Sequence, residues 1–164
     1  LTYEDYIELG KLTPSQEKLL REVMSDEFLH SMPASGIGEQ VALAALDKVG
    51  CQYSQDLRYE EGYYDCSSLV QRLYAEFGIN LPSVASTQGQ YIVDNGLQVS
   101  ENELRPGDLI FHSRDTNAGE FMSIGHVAIY VGNGMQVDAR GTAYGVVYRP
   151  LVPSNIGLYG RPCR

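Results

Sequence analysis

The chain has 164 residues, 43% of them apolar and 20% charged, with twelve tyrosines, no tryptophan and a formal net charge of −9. That length suits one well-buried core and is too short for two ordinary domains. The acidic balance argues against a nucleic-acid partner, which wants a basic face, and against simple adhesion to an anionic envelope; a substrate held by local contacts fits better.

Taken in chain order, Thr13, Pro14 and Gln16 resemble a capping box with proline in the first turn, and Leu19, Leu20, Val23 and Met24 give that helix an apolar stripe ending near Ser25. The SMPASG stretch is a breaker. It divides a helical appendage or linker, 1–34, from the main unit, 35–164. A second helix is predicted from Ile37 to Val49, with Val41, Ala44, Ala45 and Leu46 inward and Gly50 as its stop. A third begins at Cys66 in YYDCSSLVQRLYAEFG, where Leu69, Val70, Leu73, Tyr74 and Phe77 recur at helical spacing and Gly78 ends the run. NLPSVASTQGQYIVDNG reads as loop and short helix. Strands follow at Leu109 to Phe111, His126 to Val131, Met135 to Ala139 and Gly145 to Tyr148, each bounded by turn residues. Helices first and an antiparallel sheet after gives an α+β fold, with the Cys66 helix packed on the sheet.

The chemistry gathers at three positions. Cys66 stands in the first turn of its helix, where free N–H groups and the positive end of the macrodipole favour a thiolate. His126 opens a strand, and Asp138 lies an even twelve residues on, across the Gly132-Asn133-Gly134 turn that folds the two strands together. The three read as nucleophile, base and orienter. A lone cysteine is more often a small buried hydrophobe, but here helix start, histidine and aspartate coincide. Cys51 and Cys163 could pair near the two ends of the main unit; buried thiols are the favoured reading, since pairing cannot be read from sequence. His112, beside Ser113, lacks a second ligand at metal spacing and is expected to face solvent; His30 is equally isolated, and no metal or other cofactor is expected. Asp108 should tie down its own turn. Asp65 is suited to cap the Cys66 helix.

Four stretches carry a resemblance. DCSSLVQRLY, LPSVASTQ, LRPGDLIFH and GHVAIYVGNG, in that order between about Gly50 and Gly160, resemble the nucleophile helix, the Leu-Pro segment, the Pro-Gly-Asp-Leu strand and the histidine strand of the NlpC/P60 family of papain-like cysteine peptidases. The resemblance implies a papain-like α+β catalytic domain over 35–164. It implies a cysteine endopeptidase that cuts peptidoglycan stem peptides between γ-D-glutamyl and a diamino acid through Cys66, His126 and Asp138 and a thioester. Tyr53, at the family's tyrosine position, and the Cys66 N–H would form the oxyanion site; Asp65 and Ser67 would bind a substrate amino group. Asp138 stands where the family often has histidine, and YSQDLR replaces the family's Tyr-x-Trp-Gly-Gly. The 113–125 loop and residues 83–88 would flank the groove and set specificity.

An N-acetylmuramoyl-L-alanine amidase or an acyltransferase on the same scaffold, or an inactive wall-binding module, are the alternatives. The implied place of action is extracellular or in a bacterial cell envelope. No stretch has the length of a membrane span and no export signal opens the chain. Starting at Leu1 and not at a methionine, it leaves room for a signal, an anchor or further domains upstream.

Overall fold

The computed structural model describes residues 36–113 and 121–163. The 1–34 appendage, His30 and most of the polar segment before His126 lie outside the described residues. Helix α1, Ile37–Asp47, buries Val41, Ala42, Ala45 and Leu46, with Val49 just past its end. Ala42 takes the buried place expected for Ala44, because one helical stripe runs through positions one, four, five and eight residues apart. Two short strands follow, β1 (Gln52–Tyr53) and β2 (Tyr63–Tyr64), paired in parallel. Helix α2, Cys66–Ala75, starts at the cysteine and buries Leu69, Val70, Leu73 and Tyr74. Helix α3 spans Ala85–Asp94. No described helix is long and apolar enough to cross a membrane.

The remaining strands are β3 (Gln98–Val99), β4 (Leu109–Ser113), β5 (Ile124–Gly132), β6 (Met135–Gly141), β7 (Gly145–Pro150) and β8 (Ile156–Gly160). They form one antiparallel sheet in the order β3-β8-β4-β5-β6-β7. The four predicted strands are β4 to β7. The hairpin between β5 and β6 turns on Asn133 and Gly134, with φ of 53° and 71°. Positive φ at both central residues matches the right-handed twist of the strands, which is why Asn-Gly is favoured there. Leu109, Phe111, Val127, Ile129, Val131 and Val137 join the helices' apolar stripes in one core. Close approach is written into that packing: a Cβ on Gly107 would stand 2.3 Å from the backbone of Gly38 at the start of α1.

The opposite face of the sheet is buried too, through Ile110, Ala128, Gln136, Asp138 and Val147. Its cover follows from topology. The link from β7 to β8, residues 151–155, must pass β6, β5 and β4. β7 and β8 run in the same direction, so the link also returns along the sheet and crosses it as a strap. The strap is tied by Leu151 N–H to the Gly134 carbonyl at 2.8 Å, Val152 N–H to Gln136 Oε1 at 3.1 Å, and Ser113 N–H to the Asn155 carbonyl at 2.7 Å.

Candidate active site

Cys66 is the first residue of α2 because Asp65 ends the preceding strand segment in extended conformation and caps the helix. Asp65 Oδ1 accepts from the Ser68 N–H at 2.8 Å, and Ser68 Oγ accepts from the Asp65 N–H at 2.9 Å. This reciprocal box satisfies helix donors that would otherwise be unpaired and fixes the thiol at the dipole's positive end. It is worth about 1 kcal/mol or somewhat more.

The base comes from the sheet. The β5–β6 ladder ends at Ile129↔Val137, and His126 and Asp138 stand just past that last rung. There side chains bridge the strands: His126 Nε2 donates to Asp138 Oδ2 at 2.8 Å. Cys66 lines the same groove and acts on the same imidazole; with Nε2 occupied by Asp138, Nδ1 is the nitrogen left for the thiol. Burial works against a charged ring, but the pull of Asp138 and Cys66 outweighs it and pushes the His126 pKa up to about 9. Burial likewise opposes ionisation of Asp138, which is 0% exposed. The hydrogen bonds from His126 and Arg149 win, holding its pKa at about 2. An imidazole between a thiol and an ionised carboxylate can take a proton from sulfur and return it to a leaving group.

Two partners of Asp138 were not singled out in the sequence. Arg149 on β7 donates Nη2–H to Oδ2 at 2.6 Å and Nε–H to Oδ1 at 3.0 Å. Gln136 Nε2 donates to Oδ1 at 3.1 Å. A signal existed: Gln136, Asp138 and Arg149 share the period-two parity of paired strands, with Gln136↔Arg149 in register. Reading it required the strand pairing.

Tyr53, Asp65, Cys66, Ser67 and His126 line one open groove of about 260 Å³, flanked by Val84, Ala85 and Ser86 on one side and Ala139 and Arg140 on the other. The structure thus brings all six sequence-derived site residues, with the buried Asp138 behind His126, to one place. Tyr53 presents its hydroxyl beside Gln55, whose Nε2 donates to it at 3.5 Å. Asp65 has an occupant for its charge: Arg58 Nε lies 3.0 Å from Asp65 Oδ2, and Arg58 Nη2 donates to Ser67 Oγ at 2.9 Å and to the Ser83 carbonyl. Arg58, the last residue of YSQDLR, thereby links the nucleophile helix to the 83–88 wall. Arg140 stacks over Tyr144, 3.9 Å from its centroid.

His112 does not face solvent as expected. It pairs with His126 across β4 and β5, its ring centroid 5.8 Å from that of His126, and is only 8% exposed beneath the strap. Its Nδ1 donates to the Ser154 carbonyl at 3.1 Å, and burial lowers its pKa. A strand-end position looked open because the β7–β8 crossover could not be seen. No disulfide joins Cys51, Cys66 or Cys163, and burial raises the pKa of Cys163. Asp108 ties its turn through the Arg105 N–H at 2.8 Å and also takes both arms of Arg161, each at 2.9 Å.

Comparison with known proteins gives a consistent picture. The profile of the NlpC/P60 family matches residues 50–156. A probable endopeptidase p60 of Listeria seeligeri is 38% identical over 96 residues, 58% of this chain and 16% of that protein. A gamma-D-glutamyl-L-lysine dipeptidyl-peptidase of Bacillus cereus is 33% identical over 88 residues, 54% of this chain and 24% of its own length. The chain thus matches less than a quarter of either relative. Among solved structures, NlpC2 from Trichomonas vaginalis superposes with a TM-score of 0.67 at 28% identity, over 82% of this chain and 49% of that one. A Mycobacterium tuberculosis protein described as a non-catalytic NlpC/p60 domain adapted to peptidoglycan binding gives 0.61 at 23% identity, over 77% and 98%, a likeness of fold alone.

Proposed function

The chain belongs to the NlpC/P60 family, and on that premise we propose that it is a cysteine endopeptidase hydrolysing peptidoglycan stem peptides between γ-D-glutamyl and a diamino acid. One observation carries the reading: Cys66, at a capped helix start, shares a groove with His126, whose Nε2 donates to the buried Asp138. A non-catalytic domain on this fold has no need of that linked set. The names of the Listeria and Bacillus relatives support the reaction class and the bond.

In the mechanism, His126 Nδ1 already holds the proton taken from the thiol, as its raised pKa favours, and the sulfur attacks the γ-carbonyl carbon of the glutamyl residue. The oxyanion is met by the Cys66 backbone N–H, which lies in the helix's first turn and so lacks an intrahelical acceptor, and by the Tyr53 hydroxyl. As the C–N bond breaks, the imidazolium gives its proton to the departing amine, leaving a thioester on Cys66. His126 then takes a proton from water, the hydroxide attacks the thioester, and the C–S bond breaks with the proton returned to sulfur. Asp138 keeps the proton of His126 on Nε2, so that Nδ1 is the working nitrogen throughout. Asp65 and Ser67 border the groove where a substrate amino group would lie, although Arg58 already neutralises the Asp65 carboxylate. The place of action that goes with this substrate is extracellular or in a bacterial envelope.

The amidase and acyltransferase readings use the same three side chains on a different acyl group, and the binding reading uses none. A soluble muramyl-stem peptide separates them by its products. A new γ-D-glutamyl carboxyl end and a new diamino acid amine support the endopeptidase. Release of the intact stem from the lactyl group would show the amidase, transfer to an added amine the acyltransferase, and unchanged peptide that co-elutes with the protein the binding module.

A further inference from the structure

Four N–H contacts converge on one buried carboxylate. Asp138 Oδ2 accepts from His126 Nε2 at 2.8 Å and Arg149 Nη2 at 2.6 Å, while Oδ1 accepts from Arg149 Nε at 3.0 Å and Gln136 Nε2 at 3.1 Å. A carboxylate bonded to a single histidine can turn about its Cβ–Cγ bond and offer either oxygen at a range of angles. A guanidinium fork that grips both oxygens removes that freedom, because its N–H vectors lie in one plane. The fork is itself anchored by strand pairing, since Arg149 sits opposite Gln136 in the β6–β7 register. Gln136 in turn accepts from the strap through the Val152 N–H at 3.1 Å.

We propose that Arg149 is a positioning residue of this site: its fork holds the Asp138 carboxylate in the plane where Oδ2 meets His126, and its charge limits how strongly that carboxylate favours the imidazolium. The inference rests on the proposal that His126 is the working base. It also alters what an aspartate means at this position. With Arg149 bound, part of the Asp138 charge is already answered, and the fork fixes the direction in which the rest meets His126.

The groups that face His126 are Cys66 from α2, Asp138 from β6, His112 from β4 and Arg149 from β7 behind Asp138, with Arg140, Asp65 and Tyr53 lining the same groove. Of these, Arg149 is the cation bonded to the oxygen that His126 uses. Replacing it with methionine leaves Oδ2 wholly to His126, which favours the protonated ring, and lets the carboxylate swing. The midpoint of His126 titration should therefore rise while kcat falls. The fall should be roughly 10- to 100-fold, as when a partner orienting a working imidazole is lost, with KM little changed. Arg149→Lys keeps the charge but not the fork. It should leave the midpoint in place and restore part of kcat.

The test is an NMR titration of the His126 ring in wild type, Arg149→Met, Arg149→Lys and Arg149→Gln, alongside kcat and KM on a soluble stem peptide across pH. An upward shift in the Met and Gln variants and none in Lys supports the proposal. A wild-type midpoint in both neutral variants, or identical behaviour of Lys and Met in midpoint and kcat, overturns it. If Arg149→Met does not fold, Arg149→Gln decides by the same shift, because it keeps a donor and loses the charge. If wild type hydrolyses no stem peptide, the proposed activity fails, and the ring titration still decides whether Arg149 governs the pair.

Discussion

Replacing Asp138 with asparagine takes one acceptor oxygen away from a side chain on which four N–H contacts converge. An amide oxygen left at the Oδ2 position can still accept from His126 and Arg149 Nη2, but its NH₂ then faces Arg149 Nε and Gln136 Nε2 with no acceptor; turned about, the oxygen serves those two and the NH₂ faces His126 Nε2. In the turned orientation His126 Nε2 must accept. That forces the proton of the neutral ring onto Nδ1, the nitrogen that must receive the thiol proton. Activity should then fall by up to about 10⁴, the loss seen when the aspartate of a serine protease triad becomes asparagine. Stability should fall as well, because a cation is left facing a neutral partner. Breaking a buried pair costs about 3–5 kcal/mol, and with the Arg149 side chain 20% exposed the lower part of that range or less applies. Hydrolysis of a soluble stem peptide by product analysis, with thermal unfolding on the same samples, measures both. Asp138→Asn with kcat/KM within about tenfold of wild type and an unchanged unfolding midpoint would refute the reasoning. The same logic makes Asp138→His harsh and not mild, although histidine is common at this place in the family: a neutral imidazole cannot answer the Arg149 fork and Gln136 together.

Iodoacetamide should modify Cys66 far faster than Cys163 near neutral pH, since Cys66 opens into the groove beside His126 while burial raises the Cys163 pKa; equal rates, read by peptide mapping, would count against an activated thiol. Asp65→Ala removes the α2 cap and leaves Arg58 without its carboxylate, so it should cost about 1–2 kcal/mol in urea unfolding; no loss would show the cap to be redundant. The raised pKa of His126 implies stability that is full below its ordinary value of 6.5 and disappears as pH climbs through about 9. That is at most on the order of 3 kcal/mol. The lowered pKa of Asp138 implies stability present above its ordinary 3.8 and lost as pH falls through about 2. Urea unfolding across these windows checks both signs. A truncation that removes residues 1–34 should fold and keep activity on a soluble stem peptide; a folded but inactive product would show that the segment builds the groove and that the boundary at residue 35 is wrong.

The start of the helix that carries Cys66 was legible because two local signals agree there, an aspartate that can cap and an apolar stripe with period 3.6; its end, expected at Gly78, falls earlier at Ala75. The Asn-Gly hairpin was legible for the same reason, and it set the spacing that brings Asp138 to His126. What stayed hidden depends on pairing between distant segments. The two-residue strands β1, β2 and β3 are too short to show any period, and β8, with Gly157 and Gly160, lacks the alternation that marks a half-buried strand. Placing β8 between β3 and β4 creates the strap, and the strap buries His112. Arg149 follows the predicted strand at Gly145 to Tyr148 with no local signal of a role; only the pairing of β7 with β6 puts it over Asp138.

The central claim is that Cys66 carries hydrolysis of the bond after γ-D-glutamate. Wild type and Cys66→Ala, matched in thermal unfolding, should be incubated in parallel with purified peptidoglycan and the released fragments identified by mass spectrometry. New γ-D-glutamyl carboxyl ends and new diamino acid amines are expected with wild type alone. Unchanged peptidoglycan with folded wild type, the same fragments from Cys66→Ala, or cleavage confined to another bond would contradict it.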